Sequence, residues 1–306
     1  MRTVFFGTPS WAVPSLDALL ASDLEVAAVV TNPDRPAGRG MEMRPSPVKI
    51  RALEAGIGVL QPDKARDPAF HDRIRELAPD VAVVVAYGKI LPISLLEIPP
   101  LGFVNVHFSL LPLYRGAAPV QRAIIEGRTE TGVSIMVLTE GMDEGPVLGR
   151  VRTGITPNDT AGSLGERLAD QGARLLVETL PLYASGELRP EPQDGDLASY
   201  APKITTEEAR IDWTSDRQTI SNHVRGLDPA PGAWTELSGK RLKVWEVAPS
   251  PGLDLAPGEL SSSEDLIVGT GDGALGLIEV QMEGKRRMSG AELARGLRLP
   301  GGSRLG

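Results

Sequence analysis

The chain has 306 residues, a formal net charge of -8 and no cysteine, with 41% hydrophobic and 24% charged residues and a mean hydropathy of -0.08. That balance suits a folded, water-facing protein with room for two domains, and it excludes disulfides, thiolate nucleophiles, iron–sulfur clusters and thiolate zinc sites. A pI near 5.1 argues against a general nucleic-acid binder, so any such contact needs a locally concentrated basic patch.

The start, "MRTVFFGTPS", reads as a short buried strand stopped by a Gly-Thr-Pro turn, not as a signal peptide. No apolar run approaches the roughly 20 residues of a bilayer span, so no membrane partner and a cytoplasmic location are expected. Short apolar runs then alternate with amphipathic stretches, the pattern of parallel βαβ units. "VPSLDALLAS" is a helix and "EVAAVVTN" a second strand. "SPVKIRALEAG" is a helix with Ser46 as N-cap, Pro47 in the first turn and Gly56 past the end. "DVAVVVAYG" is uniformly apolar, as a central strand covered on both faces must be. "FVNVHFS" alternates, putting Asn105, His107 and Ser109 on one face, and leads into a helix from Pro119 to Gly127. A strand, a tight loop and another strand follow from Thr131 to Gly149, then a long amphipathic helix over Thr160–Leu180. The stretch from Arg189 is rich in proline and polar residues and reads as a linker. After a helix in "TSDRQTISNHVRGL", four short strand-like runs are spaced as in a small β-barrel or sandwich. The expected organisation is a domain over residues 1–188, a linker over 189–206 and a second domain over 207–306.

In open α/β sheets ligands bind beyond the carboxyl ends of the strands. Asn105 and His107 approach such an end, and Asp143 follows the strand Val133–Leu138, which places it in a loop at the same end if the two strands are neighbours, so that the three converge. Each residue alone has an ordinary explanation as a turn, cleft or loop residue. Ser109 sits in no nucleophile elbow. None of the three histidines, His71, His107 and His223, has another at ligand spacing, so no metal is assigned.

"NVHFSLLPLYRGAAPVQRAI" with a downstream "EGMDEGPVL" resembles the signature of the 10-formyltetrahydrofolate-dependent formyltransferase family. "VFFGTPSWAVPSLDAL", "TNPDRPAGRG", "PSPVK", "VVVAYGKILP", "EEARIDW" and "PAPGAWT" extend the resemblance, in order, to the branch of that family acting on methionyl-tRNA. The resemblance implies a Rossmann-like N-terminal domain and a smaller C-terminal OB-like β-barrel, with Asn105, His107 and Asp143 as the catalytic group. The reaction implied moves the formyl group of 10-formyltetrahydrofolate to the α-amine of methionyl-initiator tRNA, in a monomer without metal. The folate contacts implied are Ile90, Leu91, Ser109, Leu110, Leu111, Pro112, Leu138, Thr139, Glu140, Gly141 and Met142.

Two basic regions are candidates for phosphate contact. One is the Gly- and Pro-rich loop with Arg35, Arg39 and Arg44, which departs from the lysine-rich pattern of the resembling family at Met41-Glu42. The other gathers Lys240, Arg241 and Lys243 with the run Lys285, Arg286 and Arg287. Since acids outnumber bases from Ile204 onward, that second patch must be one-sided to hold RNA.

Overall fold

The computed structural model describes residues 1–37, 42–261, 265–297 and 303–306. It divides into two compact units, one of Met1–Pro119, Glu130–Gly154 and Gly165–Ala201, the other of Val120–Thr129, Ile155–Leu164 and Pro202–Gly306.

The first unit is built on a seven-stranded sheet. In chain order it contains β1 (Arg2–Gly7), α1 (Val13–Leu20), β2 (Glu25–Val30), a hairpin of β3 (Arg35–Ala37) and β4 (Glu42–Arg44), α2 (Pro47–Glu54), β5 (Val59–Leu60), α3 (Pro68–Leu77), β6 (Val81–Val85), α4 (Ile93–Leu96) and β7 (Phe103–His107). After α5 (Pro119–Ile125), which from Val120 on belongs to the second unit, come β8 (Glu130–Val137), β9 (Val147–Gly154) and α6 (Ala161–Ser185), whose first turn also falls in the second unit. The sheet order is β5-β2-β1-β6-β7-β8-β9, with β5 to β7 parallel along that path and β8 and β9 antiparallel. An α/β unit with a largely parallel sheet is what the alternating pattern predicts. The crossover reverses at β1, which has β2 on one side and β6 on the other, so crevices open at the carboxyl ends near this point.

Local rules account for the elements. Every residue of β6 is buried, as its uninterrupted apolar run requires. Ser46 caps α2 as expected, its side chain accepting from Lys49 N at 3.1 Å, with Pro47 in the first turn. α3 is not among the elements expected, although Asp67 accepting from Ala69 N and Pro68 after it are ordinary start signals. The core packs Phe6 against Phe70, Tyr87 and Phe103, with centroids 6.3, 5.4 and 5.2 Å apart. Leu164, Leu168, Leu176 and Leu180 form the buried stripe of α6.

The second unit carries α7 (Arg217–Gly226), an antiparallel sheet of β10 (Ala233–Leu237), β11 (Lys240–Pro249), β12 (Ile267–Thr270) and β13 (Gly273–Met282) in the order β10-β11-β13-β12, β14 (Met288–Ser289) on β13, and α8 (Gly290–Leu297). Its core gathers Trp213, Ile220, Leu242, Val268, Leu277 and Val280, with Ile125 of α5 packed against it. Short bridges extend the sheet: Leu260 with Val268, Glu259 with Arg304, and Leu237 with Leu305. Among the described residues no helix is long and apolar enough to cross a membrane.

Candidate active site

Asn105 and His107 lie two residues apart on β7, whose neighbours are β6 and β8. β8 is indeed adjacent, but it runs antiparallel: Val104 faces Val137 and His107 faces Ser134. The carboxyl end of β8 therefore lies at the start of β7, and a shared strand end does not bring Asp143 to His107. The β8–β9 connection does so by folding back, and Asp143 reaches His107 from there with its backbone in the left-handed region, φ +53°.

His107 is 5% exposed. Its Nε2 lies 2.9 Å from the carbonyl of Tyr114. A carbonyl only accepts, so Nε2 carries the proton and the other ring nitrogen faces the carboxylate. Nδ1 and Asp143 Oδ2 stand 3.6 Å apart, beyond direct hydrogen-bond range. The same Oδ2 accepts from the Gly116 amide at 2.8 Å. Gly116 is required there: its φ is +118°, and a Cβ would meet the Ala201 carbonyl at 2.8 Å.

The turn from Tyr114 to Ala118 is held by the segment before Ala201. Tyr114 N donates to Ser199 Oγ at 2.9 Å, Arg115 N to Ser199 O at 2.8 Å, and Ala201 N to Arg115 O at 2.7 Å. On the other side, Gln193 Nε2 donates to the carbonyls of Asp143 and Gly145 at 2.8 and 2.7 Å. These contacts come from the proline-rich stretch, where no sequence signal marks Gln193 or Ser199.

The expected folate residues divide by exposure. Ile90 is 89% and Met142 62% exposed. Leu91 and Leu138 are half-buried and pack on one core cluster, that of Phe6, Tyr87, Leu95 and Phe103, so their two segments border the same core. Thr139 and Glu140 are exposed, and Leu110, Pro112 and Gly141 intermediate. Lys89 anchors the Ile90 turn by donating to the carbonyls of Pro62 and Asp63, and burial pulls its ammonium below the usual lysine range. Ser109 and Leu111 are turned inward instead. Ser109 is fully buried, donates to Leu113 O and accepts at its own carbonyl from Ser134, while Leu111 packs with Met136 and Val147, so neither presents a surface to a ligand.

The comparisons with known proteins bear on what this arrangement is. The formyl transferase family model matches residues 1–180, and the model of the formyl transferase C-terminal domain matches residues 203–298. The chain belongs to the formyl transferase family. Among curated members, the methionyl-tRNA formyltransferase of Thermobifida fusca is 52% identical, covering 100% of this chain and 99% of that protein. The methionyl-tRNA formyltransferase of Thermus thermophilus is 48% identical with the same coverage. In fold, the chain resembles HypX from Aquifex aeolicus, solved in complex with tetrahydrofolic acid, at a TM-score of 0.66 and 19% identity, over 96% of this chain and 47% of HypX, about half its length.

For this formyl transferase the second unit supplies six of the remaining expected residues, Lys240, Arg241, Lys243, Lys285, Arg286 and Arg287. Arg241 stacks on Trp234 at 4.2 Å, with Arg210 near the same ring at 5.5 Å. Arg287 lies 3.7 Å and Lys243 5.3 Å from the Trp245 ring. Arg287 also pairs with Asp228 at 2.8 Å and Glu279 at 2.9 Å, so two carboxylates offset its charge. Lys240, Arg241, Lys285 and Arg286 are exposed and make no ion pair among the described residues. Arg35 and Arg44 face each other across the β3–β4 hairpin, and Arg39 lies outside the described residues. The hairpin, Arg210 and the two tryptophans were not expected from sequence. In "RLKVWEV" the period of two puts Arg241, Lys243 and Trp245 on one strand face, the signal that could have found Trp245, whereas "AWTEL" holds no basic residue and gives none for Trp234.

Proposed function

We infer that the chain is a methionyl-tRNA formyltransferase, moving the formyl group of 10-formyltetrahydrofolate to the α-amine of methionyl-initiator tRNA for translation initiation. The observation that carries this reading is full-length similarity near 50% to relatives of that name, with Asn105, His107 and Asp143 gathered on one strand and its facing loop. Residues 1–188 are read as the catalytic domain and 207–306 as the tRNA-binding domain, joined through 189–206. The second is read as an OB-like barrel. The bridges from Val268 through Leu260 and Glu259 to Arg304, and from Leu305 to Leu237 of β10, support a ring rather than an open sheet.

The exposed apolar side chains of Ile90 and Met142, beside half-buried Leu91 and Leu138, fit a flat, largely apolar ring system with polar edges met by backbone groups. Folate bound there supplies the activated formyl group. When an amine adds to a formyl carbon, negative charge gathers on the carbonyl oxygen, and fixed donors lower the barrier. The Asn105 amide is one such donor. His107 has committed Nε2 to Tyr114, so Nδ1 is the ring atom left to face the reacting group. An oxygen or nitrogen about 2.8 Å from both Nδ1 and Asp143 Oδ2 sits at the apex of a triangle on their 3.6 Å base. Asp143 is thereby suited to take the proton the attacking amine must lose and to return it to the departing nitrogen. No covalent bond to the protein is needed.

The test is to incubate the protein with 10-formyltetrahydrofolate and methionyl-initiator tRNA and to recover formyl-methionine after deacylation. Transfer to a nucleotide-linked amino sugar in preference to the tRNA would overturn the reading.

A further inference from the structure

We propose that Gln193 is a positioning residue for formyl transfer, setting the Asp143 carboxylate against His107 by clamping the carbonyls of its loop. The proposal rests on the reading of Asp143 as the group that moves the proton.

The chemistry of the contact set is demanding. Gln193 Nε2 spends its two hydrogens on the carbonyls of Asp143 and Gly145, at 2.8 and 2.7 Å. Its Oε1 accepts from Arg115 Nε and Nη2, at 3.1 and 2.9 Å. Reversing the amide would set its oxygen against two carbonyls and its NH2 against a guanidinium, with no hydrogen bond on either side, so one orientation is allowed. Two donors on one side and an acceptor on the other are what a primary amide has. Glutamate lacks the donors, lysine the acceptor and leucine both.

What the clamp holds is a conformation the chain does not prefer. Asp143 has φ +53°, a region that costs an ordinary residue about 1–2 kcal/mol. Gln193 bonds the carbonyl of Asp143 and the carbonyl two residues on, which fixes the peptide planes around this residue. From the opposite side Gly116 N fixes the carboxylate. Gly116 belongs to the turn that the Ser199–Ala201 segment holds, and that turn also carries the carbonyl that fixes His107. One short stretch, Gln193 to Ala201, therefore governs both partners of the 3.6 Å pair. Buried Arg115 ties the two sides together, since its side chain reaches both Gln193 Oε1 and Glu144, at 3.6 Å from the latter.

The experiment uses the full chain and compares wild type, Gln193→Glu, Gln193→Leu, Asp143→Asn and the double variant Gln193→Glu with Asp143→Asn. Glutamate keeps the shape and the acceptor facing Arg115, so the fold is retained, and leucine tests the same loss without added charge. Either Gln193 variant is expected to lower kcat by about 10- to 100-fold, the scale of a misplaced catalytic group, with KM for methionyl-tRNA within about 2-fold. In the Asp143→Asn background the Gln193→Glu change should cost less than about 2-fold more, because the group it positions is already gone. Independent, multiplying losses in the double variant, or unchanged kcat in both Gln193 variants, would overturn the proposal. Full turnover in Asp143→Asn alone would instead remove the reading of the site on which the proposal rests.

Discussion

Asp143 is asked to be three things at once: a residue in a left-handed backbone, the acceptor of the Gly116 amide, and the carboxylate facing His107. Asparagine satisfies the first two, since it tolerates the same backbone region and its amide oxygen accepts a hydrogen bond, but it does not take up a proton. Asp143→Asn is therefore expected to unfold at the wild-type temperature and to lose two to three orders of magnitude, roughly, in single-turnover formylation. Near wild-type turnover would remove Asp143 from the proton path. His107 and Asn105 were readable as candidates because β7 alternates, and the strand geometry does put them two residues apart on one face. That His107 spends Nε2 on Tyr114 was not readable, since the carbonyl concerned lies beyond a turn whose path depends on Ser199. Asn105→Ala is expected to lower kcat by about two orders of magnitude with folate affinity retained, measured by equilibrium binding alongside kinetics.

The β8–β9 hairpin decides where Asp143 goes, and its geometry leaves little room. A Cβ on Gly145 would lie 1.8 Å from the Val137 carbonyl, a contact that neither backbone can relieve without separating the strands at the root of the loop. Gly145→Ala should thus destabilise the chain by about 2–3 kcal/mol in denaturant titration and lower turnover more than the loss of folded protein explains, because Gln193 bonds the Gly145 carbonyl. Turnover that simply follows the folded fraction would show that the loop is not tuned to the site. The sequence marked this region as strand, loop and strand but not the direction of β8 relative to β7. Antiparallel and parallel pairings of two buried strands share the same apolar pattern, and only the partners' side chains choose between them.

At the scale of the whole molecule, a chain with net charge -8 must hold a polyanion through local patches. Arg241, exposed and stacked on Trp234, makes no ion pair among the described residues, whereas Arg287 is flanked by Asp228 and Glu279. Arg241→Ala should therefore flatten the slope of log K against log salt for tRNA binding by roughly one, while Arg287→Ala should leave the slope nearly unchanged and lower thermal stability by uncovering Trp245. In the hairpin, Arg35→Ala and Arg44→Ala should each flatten the slope as Arg241→Ala does, and Glu42→Lys should steepen it. Filter-binding across a salt series measures all five variants; equal slopes in wild type, Arg241→Ala and Arg35→Ala would mean that neither patch touches phosphate.

By itself the sequence determined what depends on neighbours along the chain: the buried strand Val81–Val85, the capped start at Ser46 and Pro47, the alternation that pairs Asn105 with His107, and the absence of thiol chemistry. These are effects of side-chain period, caps and composition, each decided within a few residues. The tertiary structure alone decided which long-range groups close the site. Gln193 meets Asp143 across 50 positions and Ser199 meets Tyr114 across 85, from a stretch whose prolines and polar residues carry no periodicity. It also decided that Ser109 faces inward and that the charge of Arg287 is offset. A hydrogen bond between distant residues leaves no local trace, because its donor and acceptor are ordinary until the fold sets them within 3 Å of each other.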